Sequence, residues 1–236
     1  MADWKGEVDT WWAGMLGVPL AAMRSGGAHA VSLDRVGIVA VDGAAAPLLY
    51  GPANVIPVLR GAMARADGET LLHGDHLAAA LPQAVRVLGP AWYGYATAKS
   101  LDDAGSPAVR PLGEPDLPLL ARLHEQVPAS ERDESGTTEL PAWGYINDGM
   151  LLAVACLGSW RQMPTIGVLT HPGARRRGLA GMVVTAAARE GLRRGAVVQY
   201  RAWRTNTASI SVARRSGFTH YCDALVIDQG LARERR

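Results

Sequence analysis

The run Arg175-Arg176-Arg177-Gly178-Leu179-Ala180-Gly181 has the residue types of an anion site. Three guanidinium groups precede Gly178 and Ala180, which carry almost no side chain, so backbone N–H groups there can come close to a ligand. The run follows the apolar stretch Pro164 to Thr170, which reads as a buried strand. It opens a stretch that reads as a helix to about Gly191. The first N–H groups of a helix have no intrahelical partner and lie at its positive dipole end. Such a strand–loop–helix unit suits a pyrophosphate. An ordinary solvated helix start carries the same residues, so the loop alone does not decide.

Other candidates are weaker. His73-Gly-Asp-His76 has metal-ligand types, but two histidines and one carboxylate at a helix start occur by chance, and no metal is expected. His171 reads as a phosphate contact or as an exposed loop histidine. Cys222 lacks a His/Asp pairing that would make it a nucleophile, and reads as core.

The elements around the cradle are legible. Ala108 to Leu112 is a short strand, and Glu114-Pro115-Asp116 opens a helix with Leu117, Leu119, Leu120 and Leu123 inward. Ala142 to Asn147 and Met150 to Leu157 are paired strands around Asp148-Gly149, a type I′ turn signal. Ala196 to Trp203 is a strand, Asn206 to Ser216 a helix capped by Gly217, and Phe218 to Ile227 the last strand. The stretch Lys99 to Pro107 is of linker type, giving an N-terminal α/β domain 1–106, a second domain 107–230 and a tail 231–236. In the first domain Val36 to Val41 is a strand. Pro57 to Ala66 is a helix, and Asp75 is the N-cap of another that presents Leu77, Ala80, Leu81, Ala84 and Val85, with Pro82 kinking or splitting it. Trp11, Trp12, Met15 and Leu16 form a core patch on an N-terminal helix.

The chain has 236 residues, 48% hydrophobic and 19% charged, which excludes a disordered chain. No stretch of about 18 apolar residues is free of charges or Gly/Pro breaks, so no membrane helix is expected. The acidic, polar start lacks the order of a signal peptide. Two cysteines, Cys156 and Cys222, build no disulfide framework, and a reducing cytoplasm fits best. The net charge of +2 hides a gradient. Residues 107–149 carry three basic and eight acidic groups, net −5, whereas 150–236 carry 14 and 4, net +10. The last third is suited to something anionic. Nucleic acid is the weakest choice, since the arginines lack aromatic interleaving or a binding module.

Val168-Leu169-Thr170, Pro172 and Arg175-x-x-Gly178-x-Ala180 resemble motif A of the GNAT superfamily of N-acetyltransferases. Asn206-x-x-Ser209 through Arg215-Ser-Gly217-Phe218 resembles its motif B, and the similarity covers about residues 107–228. The resemblance implies an α/β (α+β) fold with a mixed, mostly antiparallel sheet flanked by helices. Residues 1–106 are then a degenerate second copy or an unrelated cap. It further implies acetyl-CoA as co-substrate, with no metal. Val168, Leu169 and Thr170 would meet the pantetheine arm on a strand that splays from its neighbour. Arg175, Arg176, Arg177, Gly178, Leu179, Ala180 and Gly181 would hold the pyrophosphate, with Asn206 and Ser209 near the arm.

The implied chemistry is direct attack of a neutral amine on the thioester, which needs a base and donors to the developing oxyanion. The tyrosine that many members carry four residues before the motif B glycine is here Ala213, which leaves Ser209, Ser211 or a water to protonate the sulfur. Glu134 and Glu139, in an acid-rich loop segment, are the candidate bases, although loop charges are commonly only solvated. The segment before motif A commonly forms the amine entry, so its acidity suits a small, cationic primary amine. The alternatives are a protein N-terminus or lysine as acceptor, or a non-catalytic acyl-CoA-binding regulator. No nucleic acid or membrane partner is expected, and monomer and homodimer both stay open.

Overall fold

The computed structural model describes residues 3–33, 35–81, 86–101, 106–138 and 140–228. In chain order the elements are α1 (Trp4–Leu16), α2 (Ala22–Ser25), β1 (Gly27–Ala30), β2 (Arg35–Val41), β3 (Leu48–Gly51), α3 (Ile56–Met63), α4 (Gly68–Leu72), α5 (Asp75–Ala80) and β4 (Arg86–Ala96). They continue as β5 (Val109–Leu112), α6 (Leu117–Glu125), α7 (Ala129–Ser135), β6 (Ala142–Asn147), β7 (Met150–Trp160), β8 (Met163–Thr170), α8 (Leu179–Arg194), β9 (Val198–Trp203), α9 (Thr207–Arg215) and β10 (Thr219–Asp228). The chain is mixed α/β with two compact units. One gathers the residues up to Tyr93 with 202–206 and the strand from His220 onward; the other gathers 94–201 and 207–219. The linker-type stretch 99–107 lies within the second unit, and the last strand groups with the first.

In the first unit the strand order is β1-β3-β2-β10-β4. β1 runs parallel to β3, while β2 is antiparallel to both β3 and β10. β2 is apolar nearly throughout because it is central and both its faces are covered. Ile38, Leu49, Leu225 and Ile227 meet Leu59, Leu71 and Leu77 of α3, α4 and α5 in one core. Pro57 stands in the first turn of α3, where its missing N–H costs nothing. The N-cap of α5 is Gly74, with φ 78°, and Asp75 is its first helical residue. The sequence reading placed the cap one residue later. Pro82, Ala84 and Val85 of that reading lie outside the described residues. On α1, Val8, Trp12 and Leu16 recur every four residues on the buried face, with Trp12 edge-on to Tyr93. Asp9 is buried among them. It accepts Tyr221 OH at 2.5 Å and Arg24 Nε at 2.7 Å, which offsets its desolvation.

In the second unit the order is β9-β8-β7-β6-β5, antiparallel except for the β8–β9 pair. Asp148 and Gly149 have φ of 49° and 72°, the two positive values that a type I′ turn needs to join β6 to β7. On one face, Leu120 and Leu123 of α6 pack on Leu112, Ala142, Val154, Cys156 and Leu169. On the other, α8 buries Leu179, Val183, Val184, Ala187 and Ala188. Leu117, expected inward, is 43% exposed at the first position of α6. The acid-rich run, expected as loop, is helix α7 as far as Ser135. Among the described residues no helix is long and apolar enough to cross a membrane.

Candidate functional site

β8 is the element that positions the cradle. It pairs with β7 along its whole length, from Trp160↔Met163 to Ala153↔Thr170. With β9 it is registered only at Thr165↔Gln199 and Ile166↔Tyr200. Beyond Ile166 the edge of β8 facing away from β7 therefore has no strand partner in this unit among the described residues. His171 N–H donates to Leu152 O at 2.9 Å, so His171 faces β7. The two-residue pleat then turns the N–H and C=O of Thr170 and Val168 toward the open edge, and Leu169 into the core. Val168 and Thr170 thus offer the backbone groups, while Leu169 contributes packing.

The loop after β8 is closed locally. His171 Nδ1 accepts the Gly173 N–H at 3.1 Å and tightens a single 3-10 turn, Pro172–Ala174. This histidine, read from the sequence as a phosphate contact or an exposed loop residue, uses that nitrogen to serve the turn. Arg175 is extended, Arg176 has φ 62° and Gly178 has φ 79°. Left-handed residues interleaved with others turn successive N–H groups to one side, the arrangement that binds anions. Gly178 precedes α8 and supplies no side-chain cap, so the N–H groups of Leu179, Ala180 and Gly181 lack both a side-chain and an intrahelical acceptor. The space above Gly178 is open: an added Cβ would meet nothing within 4 Å. The glycine is required by its φ, not by crowding in the protein.

The three arginines divide. Arg175 reaches across to α7 and binds Glu131 at 2.6 Å, while Arg176 and Arg177 are exposed beside the cradle and unpaired among the described residues. α7 is itself pressed against the strand. A Cβ at Gly167 would lie 2.2 Å from Ser135 O, so only glycine lets the chain at Ser135 and Gly136 cross β8 there. Glu134 is exposed on α7, and Glu139 lies outside the described residues.

On α9, Ala213 is fully buried, and its carbonyl accepts the Phe218 N–H at 3.0 Å. A tyrosine there would have to enter a packed core. Ser211 is half-buried. Ser209 Oγ lies 2.8 Å from Tyr200 OH, a residue the sequence reading took only as strand. Burial, with a smaller opposing effect from Ser209, pushes the Tyr200 phenol up to about 12. Tyr200 sits opposite Ile166, at the point where β8 loses its β9 partner. Asn206 closes the turn before α9 with its N–H on Trp203 O at 2.9 Å, and it groups with the first unit while the cradle belongs to the second. Cys222 is fully buried in β10, and burial pushes its thiol well up, so it is an inert core residue.

Residues 151–226 match the family model described as FR47-like protein. No curated protein matches the chain. Among solved structures, a GNAT-family acetyltransferase from Novosphingobium aromaticivorans is 22% identical, covering 61% of this chain and 66% of its own at a TM-score of 0.49. Another from Colwellia psychrerythraea is 16% identical, covering 61% and 57% at 0.48. An aminoglycoside N-acetyltransferase solved with CoA is 22% identical, covering 47% and 90% at 0.35. The chain spans less than two-thirds of the length of the first two.

Proposed function

We propose that the protein transfers an acetyl group from acetyl-CoA to a primary amine of a small molecule, a reading supported by the FR47-like match over residues 151–226 and by the motif A and motif B resemblance. The observation that carries this reading is the open edge of β8 at Val168 and Thr170 leading within five residues to the cradle at Arg175–Gly181. An extended arm ending in a pyrophosphate fits a row of backbone groups followed by a helix start. Arg176 and Arg177 add charge for further phosphates. The whole cofactor site then lies within 107–230.

Acetyl-CoA supplies an activated acyl group whose thiol leaves readily, since free thiols ionise near pH ~8.5. The protein's part is to hold the arm on β8, exclude water, deprotonate the amine and donate to the carbonyl oxygen. The Tyr200–Ser209 hydroxyl pair stands beside the parting of β8 and β9 and is the group best placed to donate to the sulfur. The buried Ala213 favours a second reading, an acyl-CoA-binding protein without turnover. Calorimetry with acetyl-CoA followed by thiol release on a panel of amines separates the two. Release with small amines supports the enzyme, and binding without release on any amine or peptide supports the second. Absence of binding refutes both.

A further inference from the structure

α6 and α7 meet over one face of β8: Leu120 and Leu123 pack with Leu169, and the Ser135 carbonyl lies against Gly167. His124, half-buried near the end of α6, stands at that meeting. Its Nε2 is 3.2 Å from Thr137 Oγ1, which is 2.7 Å from Ser135 Oγ, and Ser135 Oγ donates to the Arg132 carbonyl at 2.7 Å. The direction of each bond follows from the far end. Ser135 has one hydroxyl hydrogen and the carbonyl takes it, so its oxygen accepts from Thr137, both O–H and N–H. Thr137 has then spent its only hydroxyl hydrogen, so His124 Nε2 must be the donor. Thr137, at the centre of the chain, is fully buried, and His124 and Ser135 are half-buried. The neutral imidazole is therefore the Nε2–H tautomer, with its lone pair on Nδ1.

We propose that His124 is the general base of the acetyl transfer proposed above, accepting the acceptor's proton at Nδ1, with Thr137 and Ser135 as positioning residues. The inference rests on that functional reading. An ammonium N–H bond breaks as Nδ1–H forms. The freed amine pair then makes the C–N bond while C–S breaks and the electron pair leaves on sulfur. The Tyr200–Ser209 pair gives a proton to the sulfur and is reprotonated through solvent by the second amine proton, and the imidazolium returns its proton to water, so one proton is released per turnover. A fixed tautomer held by a neutral hydroxyl chain does here what a carboxylate does behind many catalytic histidines. Burial lowers the imidazole from its ordinary value, opposed by a hydrogen bond to the Thr137 backbone and aided by the Arg132 guanidinium, and so favours the neutral ring. Arg132 is the charged group on α7 that acts on it; Arg122 and Glu125 on its own helix are exposed, and the sheet beneath presents apolar side chains and the Cys156 thiol.

The test uses the full chain with acetyl-CoA and 1,4-diaminobutane, or the best amine of the panel. Nitrogen-15 NMR of the wild-type ring should show Nε2–H with bare Nδ1. His124→Gln should lower kcat at least tenfold near pH 7, with the loss shrinking toward pH ~10 as the amine sheds its own proton. The Kd for acetyl-CoA should not move. Thr137→Val should lower kcat and shift the acid limb of the pH profile, and Thr137→Ser should restore both. An Nδ1–H tautomer, or a His124→Gln enzyme with the wild-type pH profile, overturns the base assignment alone. A wild-type protein that acetylates no amine overturns the acetyltransferase reading, and the base with it.

Discussion

Gly178 shows how one backbone angle can hold a site open. The sequence reading valued its missing side chain for close approach of a ligand, while the structure makes φ of 79° the reason for glycine. Gly178→Ala should therefore cost about 1–2 kcal/mol of local strain without filling the cradle. Gly178→Glu adds a carboxylate where the pyrophosphate is proposed to rest, and should weaken acetyl-CoA binding at least tenfold, about 1.4 kcal/mol. Calorimetry on both variants separates strain from charge. An unchanged Kd in a folded Glu variant would remove the cradle from the argument. The residues that the structure added, Tyr200 and His124, were not legible as site residues, because their partners Ser209 and Thr137 lie nine and thirteen positions away and no motif marks them.

At the scale of elements, the contact of α7 with β8 depends on Gly167. A Cβ there meets backbone oxygen, which cannot swing aside as a flexible side chain can. Gly167→Val should destabilise the protein by about 1–3 kcal/mol and loosen α7, read as a lower urea midpoint together with a fall in kcat. Retention of both would mean that α7 is free to move. The strand–loop–helix of 163–194 was legible because its signals are local: an apolar run, a small-residue loop and helical periodicity in one window. α7 was not, because Ala129–Ser135 has no apolar face and its placement comes from a distant glycine. The parting of β8 from β9 was legible only through the family resemblance, since pairing is a property of two strands and not of either one.

For the whole molecule the charge gradient survives in altered form. Arg110 grips Asp116 through two bonds of 2.7 and 2.8 Å and, as the larger cause, holds its carboxyl at about 2. Glu131 forms an ion pair with Arg175. Part of the acidity of 107–149 is therefore already neutralised, and the exposed remainder, Glu134 included, is what an approaching amine would meet. Among matched cationic, neutral and anionic amines, kcat/KM should be highest for the cation. The spread should narrow as salt shortens the Debye length from ~10 Å at 0.1 M to ~3 Å at 1 M. An anionic amine as best substrate, or a ranking indifferent to salt, would refute the steering idea.

The pairing of β10 with β2 has a consequence for how the protein comes into being. Val41 lies opposite Cys222, so this ladder joins positions about 180 residues apart, a closure whose entropy grows only slowly with length but which cannot begin before both ends exist. Domains at the start of a chain commonly fold while the rest is still being synthesised. Here the ribosome must add about 180 residues after β2 before the strand that lies between β2 and β4 emerges. Until then β2 keeps an open apolar edge, the kind that recruits other chains. Nascent chains stalled at residue 200 should leave the region up to Tyr93 open to protease and dependent on chaperones, whereas release of the full chain should protect it at once. Full protection already at the stalled length would show that the first half matures without its final strand.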